Sequence, residues 1–229
     1  MSDIVLLCEH ASNHIPARYD GLGLSQDDLC RHIAWDLGAA ALTRRLSDAL
    51  DAPAYLGTYS RLLIDLNRPI DAVSSIVDFS EDTPVPGNLV IDSAERAHRI
   101  DRIFQPFHMA ISALLDKRQR QCKPVRLVSI HSFTPVYLGV VRPWEAGVLF
   151  GSAERFGSQL LSQLALSGRI VGANVPYRTS REEDFAVPVH GDDRGIPAVL
   201  LEVRNDLIND SANVGQISEW IFAALRASL

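Results

Sequence analysis

Cysteine is scarce in this chain. Cys8, Cys30 and Cys122 are the only three thiols in 229 residues, far apart and without a CxxC pair. An odd count, with no basic segment leading into a long apolar stretch at the start, fits reduced thiols and predicts a cytoplasmic address. Long apolar runs are missing as well. None approaches the ~18 residues of a membrane span, so no membrane partner is expected. Lys and Arg form no dense run, and 22 basic against 28 acidic side chains give a formal charge of −6. A nucleic-acid partner needs a basic stripe, and none is present. Internal repeats, low-complexity tracts and Ser/Gly linkers are also absent, which predicts a single domain over residues 1–229. No GxxxxGK[ST] phosphate loop occurs, no GxGxxG follows a strand, and GxSxG is missing. These absences argue against phosphate-loop and dinucleotide chemistry and against serine hydrolysis of the common α/β type.

What is present is an ordinary soluble composition, 47% apolar and 22% charged. The apolar run Ile4 to Cys8 reads as a sheet-core strand that stops at Glu9-His10. Residues 25–50 read as one long helix with Ser25 as cap and Asp28 closing a weak capping box. Short apolar runs follow at 54–59 and 62–65, then a helix over 93–119 kinked at Pro106. Strands are expected at 125–130, 136–141, 147–150 and 197–204, with helices at 154–166 and 211–227. Strands alternating with helices predict an α/β fold, a central sheet with helices on both faces, and a ligand site beyond the carboxyl ends of the strands.

Polar side chains gather at those ends. His10 and His131 each follow a hydrophobic strand and are candidate zinc ligands, since zinc is commonly held by three protein ligands with a fourth position left for water. Two unrelated rim histidines are the plainer reading. Asp36, at the edge of the stripe Leu29, Ile33, Leu37 and Ala40, is the candidate third ligand. A buried carboxylate needs a compensating cation, though an i,i+4 pair with His32 would also serve. Glu9 and Asn13 are weaker third-ligand candidates. Glu202 interrupts the strand Val199 to Val203, where a carboxylate is tolerated if paired or if it performs chemistry as a general base. Pairing with Arg204 is the alternative. In SRLLIDLNRP, residues 60–69, Arg61, Asn67 and Arg68 could recognise an anionic substrate, or could form a solvated turn. Gly191-Asp192-Asp193-Arg194-Gly195, preceded by His190, reads as a mobile loop before the last central strand.

Taken together, EHASNHIP, HIAWDLGA, SRLLIDLNRP, SIHSF and LEVRNDL resemble, in order, the N-formylglutamate amidohydrolase family. That family is in turn similar in fold to zinc carboxypeptidases, giving a mixed central sheet of the phosphorylase/hydrolase-like kind. The resemblance implies a metal-dependent amidase, most simply one that hydrolyses N-formyl-L-glutamate to formate and L-glutamate. It implies a metal, zinc first, on His10 and His131 and Glu202 as base; Asp36 remains the candidate third ligand, and Arg61 is a candidate to help stabilise the oxyanion. It implies Asn67 and Arg68 as a carboxylate clamp; Arg204 and His190 are further substrate-side candidates. The expected partner is a small acidic N-acyl amino acid. Two departures stand out. Asn13 occupies the position where carboxypeptidases carry their acidic ligand, and Glu9-His10-Ala11-Ser12 stands where family members read Pro-His-Ser/Ala-Gly. A deacylase or small-peptide hydrolase with another acyl preference, or a non-catalytic carboxylate-binding protein, are the alternatives.

Overall fold

Strand periodicity sets the frame. A computed structural model describes residues 2–229. Its main sheet has six strands: β1 (Ile4–Cys8), β2 (Ala54–Leu56), β3 (Arg126–Phe133), β4 (Ala146–Leu149), β5 (Val171–Ala173) and β6 (Ala198–Arg204). Their spatial order is β2-β1-β3-β6-β4-β5. Pairing is parallel from β2 across to β6, antiparallel between β6 and β4, and parallel again between β4 and β5. The sheet is therefore mixed, as expected. The strand β5 is an addition to the sequence reading. Its Val-Gly-Ala run is too short and too weakly apolar to stand out.

Alternation along the strands divides the core. Ile4, Leu6, Cys8, Val128, Ile130, Val199, Leu201 and Val203 share one cluster with Leu42 and Leu46 of α2 (Ala39–Leu50), Leu160 and Leu164 of α5 (Glu154–Ala165), and Ile217 and Ile221 of α6 (Ser211–Ala227). Val5, Leu7, Leu127, Ala198 and Leu200 pack on the other face, against Ile111 and Leu115 of α4 (Gln105–Arg120) and the turn holding Ala186 and Val187. Helices cover both faces. Each fully buried Leu or Ile side chain here contributes about 1.5–3 kcal/mol through its removal from water.

Four expected elements take a different form. The 25–50 helix is two helices, α1 (Gln26–Cys30) and α2, joined by turns. Ser25 does cap α1, its Oγ accepting from Asp28 N at 3.1 Å. α1 ends at an extended Arg31, and α2 starts after Gly38, which has φ of 79° and lies so close to another segment that a Cβ there would sit 2.3 Å from the Ile208 carbonyl oxygen. The run 62–65 is not a strand but part of a buried turn segment. Leu62, Leu63, Ile64 and Leu66 form a third apolar cluster with Ile103 and Phe104. Arg99 of α3 (Ser93–Arg99), itself 1% exposed, donates to the Leu63 carbonyl at 2.9 Å and pins that segment. The 93–119 helix is interrupted by a wide π-helical turn at Ile100–Phe104, just ahead of Pro106, whose ring nitrogen has no hydrogen to donate. The 136–141 run forms a separate two-stranded hairpin, Val136–Tyr137 with Val140–Val141, outside the main sheet. No described helix is long and apolar enough to cross a membrane.

Candidate active site

At the carboxyl ends of β1, β3 and β6 lies a cleft of about 490 Å³. Register brings its parts together. β3 pairs with β6 so that His131 lies opposite Glu202, and β1 neighbours β3 on the other side. The strand β3 runs beyond the expected end at Ile130, so His131 and Ser132 are strand residues rather than loop residues. His10 follows β1, and its ring centroid lies 4.7 Å from that of His131 in an edge-on arrangement.

Asp36 reaches the site from the turn between α1 and α2. Its main-chain nitrogen donates to the His10 carbonyl at 2.9 Å, which ties the turn to the end of β1. Breaking the helix is what allows this. The proposed pair with His32 does not form: His32 Nε2 lies 3.0 Å from Glu81 Oε1 instead. Asp36 Oδ2 lies 2.9 Å from His131 Nδ1 and 3.4 Å from His10 Nδ1, and it accepts from Ser132 N at 3.2 Å. One ligand-capable atom each from His10, Asp36 and His131 lie within 4.8 Å of one another, all three residues buried.

The far sides of both imidazoles are held by acids. His10 Nε2 contacts Asp65 Oδ1 at 2.7 Å, and His131 Nε2 contacts Glu9 Oε2 at 3.1 Å. Glu9 Oε2 is fixed in turn by Ser129 Oγ at 2.6 Å, and Asp65 Oδ1 by Asn67 N at 2.8 Å. An ionised carboxylate only accepts, so each ring has an acceptor on both sides, and a cation on the Asp36 side would take the Nδ1 lone pairs and leave the Nε2 protons to Asp65 and Glu9. Such outer carboxylates orient histidine ligands and raise their basicity. The set of two imidazoles and one carboxylate therefore fits a divalent cation. Burial by itself would disfavour the charged forms here. The two imidazoles outweigh it at Asp36 and hold that carboxyl far below its usual range, while Asp36 and Glu9 hold the His131 pKa well above the ordinary imidazole value. A positive charge is thus favoured among these groups.

Glu202 stands beside them, 7% exposed, with Oε2 buried and unpartnered among the described residues. Burial pushes its pKa up to about 7, with His131 pulling it down and Asp36 pushing it up. The alternative pairing with Arg204 is not made, because Arg204 Nε donates to Asp206 Oδ1 at 2.8 Å. Arg61 lies in the cleft but its donors are engaged. Nε and Nη2 reach Asp65 Oδ2 at 3.0 and 2.7 Å, and Nη1 is 3.5 Å from Asp36 Oδ1.

The remaining sequence candidates separate. Asn67 lines the cleft but serves the main chain: its Oδ1 accepts from Ala186 N at 3.0 Å and its Nδ2 donates to Asp184 Oδ1 at 3.1 Å. Arg68 also lines the cleft, bonded to the Glu183 carbonyl and facing Asp184 Oδ1 at 3.4 Å. Two candidates are corrected, since Arg204 and His190 do not line the cleft. Arg204 closes β6 and turns to Asp206. His190 is wound into the turn Ala186–Gly191 and lies 2.9 Å from His108 Nδ1, where burial brings its pKa down to about 3. Asn13 donates to the Leu29 carbonyl at 2.9 Å and does not line the cleft. Sequence reasoning gave no role to Asp65 and passed over Tyr137, Arg142 and Tyr177, which line the same cleft. For Asp65 the signal was there, an acid ending the apolar run LLI just as Glu202 interrupts LLV.

Comparison with known proteins fits this geometry. The family model for N-formylglutamate amidohydrolase matches residues 2–209. The chain belongs to that family. The family is one of hydrolases, and membership carries the coarse reading of an enzyme that acts on an amide bond. Among solved structures, the chain is similar to gene product Atu2144 from Agrobacterium tumefaciens, with 36% identity, a TM-score of 0.96, and coverage of 99% of this chain and 90% of that one. It is also similar to an N-formylglutamate amidohydrolase from Ralstonia eutropha JMP134, with 18% identity and a TM-score of 0.70, over 99% of this chain and 93% of that one; this likeness concerns the fold. No curated protein sequence matches the chain.

Proposed function

We propose that the protein is a metal-dependent amidohydrolase that cleaves the amide of an N-acyl amino acid, with N-formyl-L-glutamate as the leading substrate and zinc as the leading metal. The observation that carries this reading is the paired arrangement of His10 and His131. Both Nδ1 atoms are aimed at one Asp36 oxygen, both Nε2 atoms are held by buried acids, and an unpartnered Glu202 stands alongside. His10, Asp36 and His131 would hold the ion. A divalent cation bound there supplies Lewis acidity, making a water more acidic and stabilising negative charge on the substrate oxygen.

The protein's own groups handle the protons. With its pKa near 7, Glu202 can accept a proton from the attacking water and give it to the departing amine nitrogen. Without that second transfer the amine would leave as an unprotonated anion. Arg61 is better suited to hold Asp36 and Asp65 in place than to act on the oxyanion, because its donors are already committed to them. Its charge also offsets the acids gathered behind the imidazoles. Three free cysteines support an address in the reducing cytoplasm.

The test is a formate-release assay on purified protein with elemental analysis, before and after chelation. Chelation should abolish formate release and re-addition of zinc should restore it. Glu202→Gln should keep its metal and lose roughly 10²–10⁴-fold in kcat, the usual contribution of a positioned acid–base group. Near-normal turnover by the Gln variant would remove Glu202 from the proton-transfer role, and formate release unaffected by chelation would end the metal-dependent reading.

A further inference from the structure

An acidic substrate needs a cation to receive it, and the cleft holds four arginines: Arg61, Arg68, Arg142 and Arg178. Two of them already face acids. Arg61 is bound to Asp65 and Asp36, and Arg68 lies between Asp184 and Glu183, with its Nε 3.7 Å from Glu183 Oε2. Arg178 is exposed on the rim.

Arg142 differs from all of these. It is 7% exposed, yet no carboxylate among the described residues pairs with it. Of its five side-chain N–H donors, the one identified bond goes from Nη2 to the Tyr177 hydroxyl at 2.7 Å. The guanidinium carbon lies 4.5 Å from the Tyr137 ring centre and 4.9 Å from that of Tyr177. Its main chain is anchored by Arg142 N donating to the Pro135 carbonyl at 2.8 Å. Aromatic faces offset part of the cost of burying a guanidinium, but they leave its in-plane donors without acceptors. A planar fork of free donors in a cleft matches a carboxylate.

The surrounding segments hold this fork in position. The hairpin Val136–Val141 delivers Tyr137 and then Arg142. Opposite Glu202, Gly147 lets the chain at Val175 pass so closely that a Cβ would lie 1.7 Å from the Val175 carbonyl oxygen. That pass brings Tyr177 back into the cleft. Tyr177, Arg142 and Glu202 line the same cleft.

We propose that Arg142, set between Tyr137 and Tyr177, is the receptor for the substrate carboxylate, in place of the Asn67-Arg68 clamp expected from the sequence. The inference rests on the reading of the substrate as an N-acyl amino acid with a free acid group. It makes Arg142 the residue that separates acidic from neutral amides.

The test uses full-length, metal-loaded protein and two measurements. The first is calorimetric titration with glutarate, a dicarboxylate with no amide to cleave, with metal content checked in each variant. The second is kcat and KM for N-formyl-L-glutamate. Arg142→Met should weaken glutarate roughly 10- to 100-fold, the worth of a lost charge-assisted pair. Arg142→Lys keeps charge and folding volume and should still weaken it by about tenfold, because the bidentate geometry is lost. In catalysis the loss should fall mainly on KM. Arg68→Ala should cost less than either Arg142 variant. Wild-type protein that does not bind glutarate, Arg142 variants that bind it normally, or a larger loss from Arg68→Ala would each overturn the proposal. Arg142-dependent glutarate binding without turnover of any N-acyl amino acid would uphold the receptor and sink the hydrolase reading alone.

Discussion

Glu9 and Asp65 act from behind the imidazoles. Each lies on the Nε2 side of its histidine, away from Asp36, and in the proposed metal site each would hold the Nε2 proton and leave Nδ1 to the ion. Glu9→Gln and Asp65→Asn preserve shape while removing the charge that holds the Nε2 proton. Each should weaken zinc binding roughly 10- to 100-fold, measured by competition with a chromophoric chelator. Unchanged affinity in both would show that the imidazoles are oriented by packing alone. At this scale, legibility followed contrast. His10, His131 and Glu202 could be read because they are polar where a buried strand demands apolar residues. Asp36 could be read as a neighbour of the two histidines, though the helix reasoning behind it was incorrect. Arg142 gave no such contrast: it sits among VVRPW, and its aromatic partners Tyr137 and Tyr177 become its neighbours through a hairpin and a chain reversal that no spacing rule records.

Among the elements, the turn between α1 and α2 decides the site. The stripe Leu29, Ile33, Leu37 and Ala40 follows helical spacing straight through Gly38, so periodicity alone favoured one continuous helix. What overrides it is tertiary: Ala34 accepts from Arg61 N and Ser60 Oγ, and Asp36 N is bonded to His10 O. Those bonds replace the intrahelical ones. Gly38→Ala should therefore be destabilising twice over, through a positive φ that an L side chain resists and through collision with Ile208. A loss of about 1–3 kcal/mol or more is expected in urea or heat unfolding, with lowered metal content because Asp36 is two residues away. An Ala variant as stable and as metal-rich as the parent would mean that the turn does not depend on glycine. The terminal helix was read closely because its caps and apolar stripe are local. β5 and the buried turn 62–66 were not, since their conformations are set by partners distant in the chain.

Across the whole molecule, the proposed mechanism makes one titration govern the rate. Glu202 must be ionised to accept a proton, and burial pushes its pKa up to about 7. As pH falls below that point the carboxylate is protonated, so kcat/KM should fall about tenfold per unit at lower pH and level off above it. A bound cation favours the ionised form, which sets the midpoint at or below about 7. A pH series from 5 to 9 on the loaded enzyme checks this, and a flat profile would exclude a titrating Glu202 from the rate-determining step.

The reversal of direction at β4 has a consequence for how such an enzyme can diversify. On the parallel side, the ends of neighbouring strands supply the imidazoles of His10 and His131 and the carboxyl of Glu202. On the reversed side, the approach to β4 brings a hairpin, and the exit from β5 doubles back, to the same opening. In the proposed enzyme, hydrolytic machinery and acid recognition thus belong to separate flanks. Exchanging residues 136–142 or 174–178 should alter which amino acid is accepted while leaving formate chemistry intact.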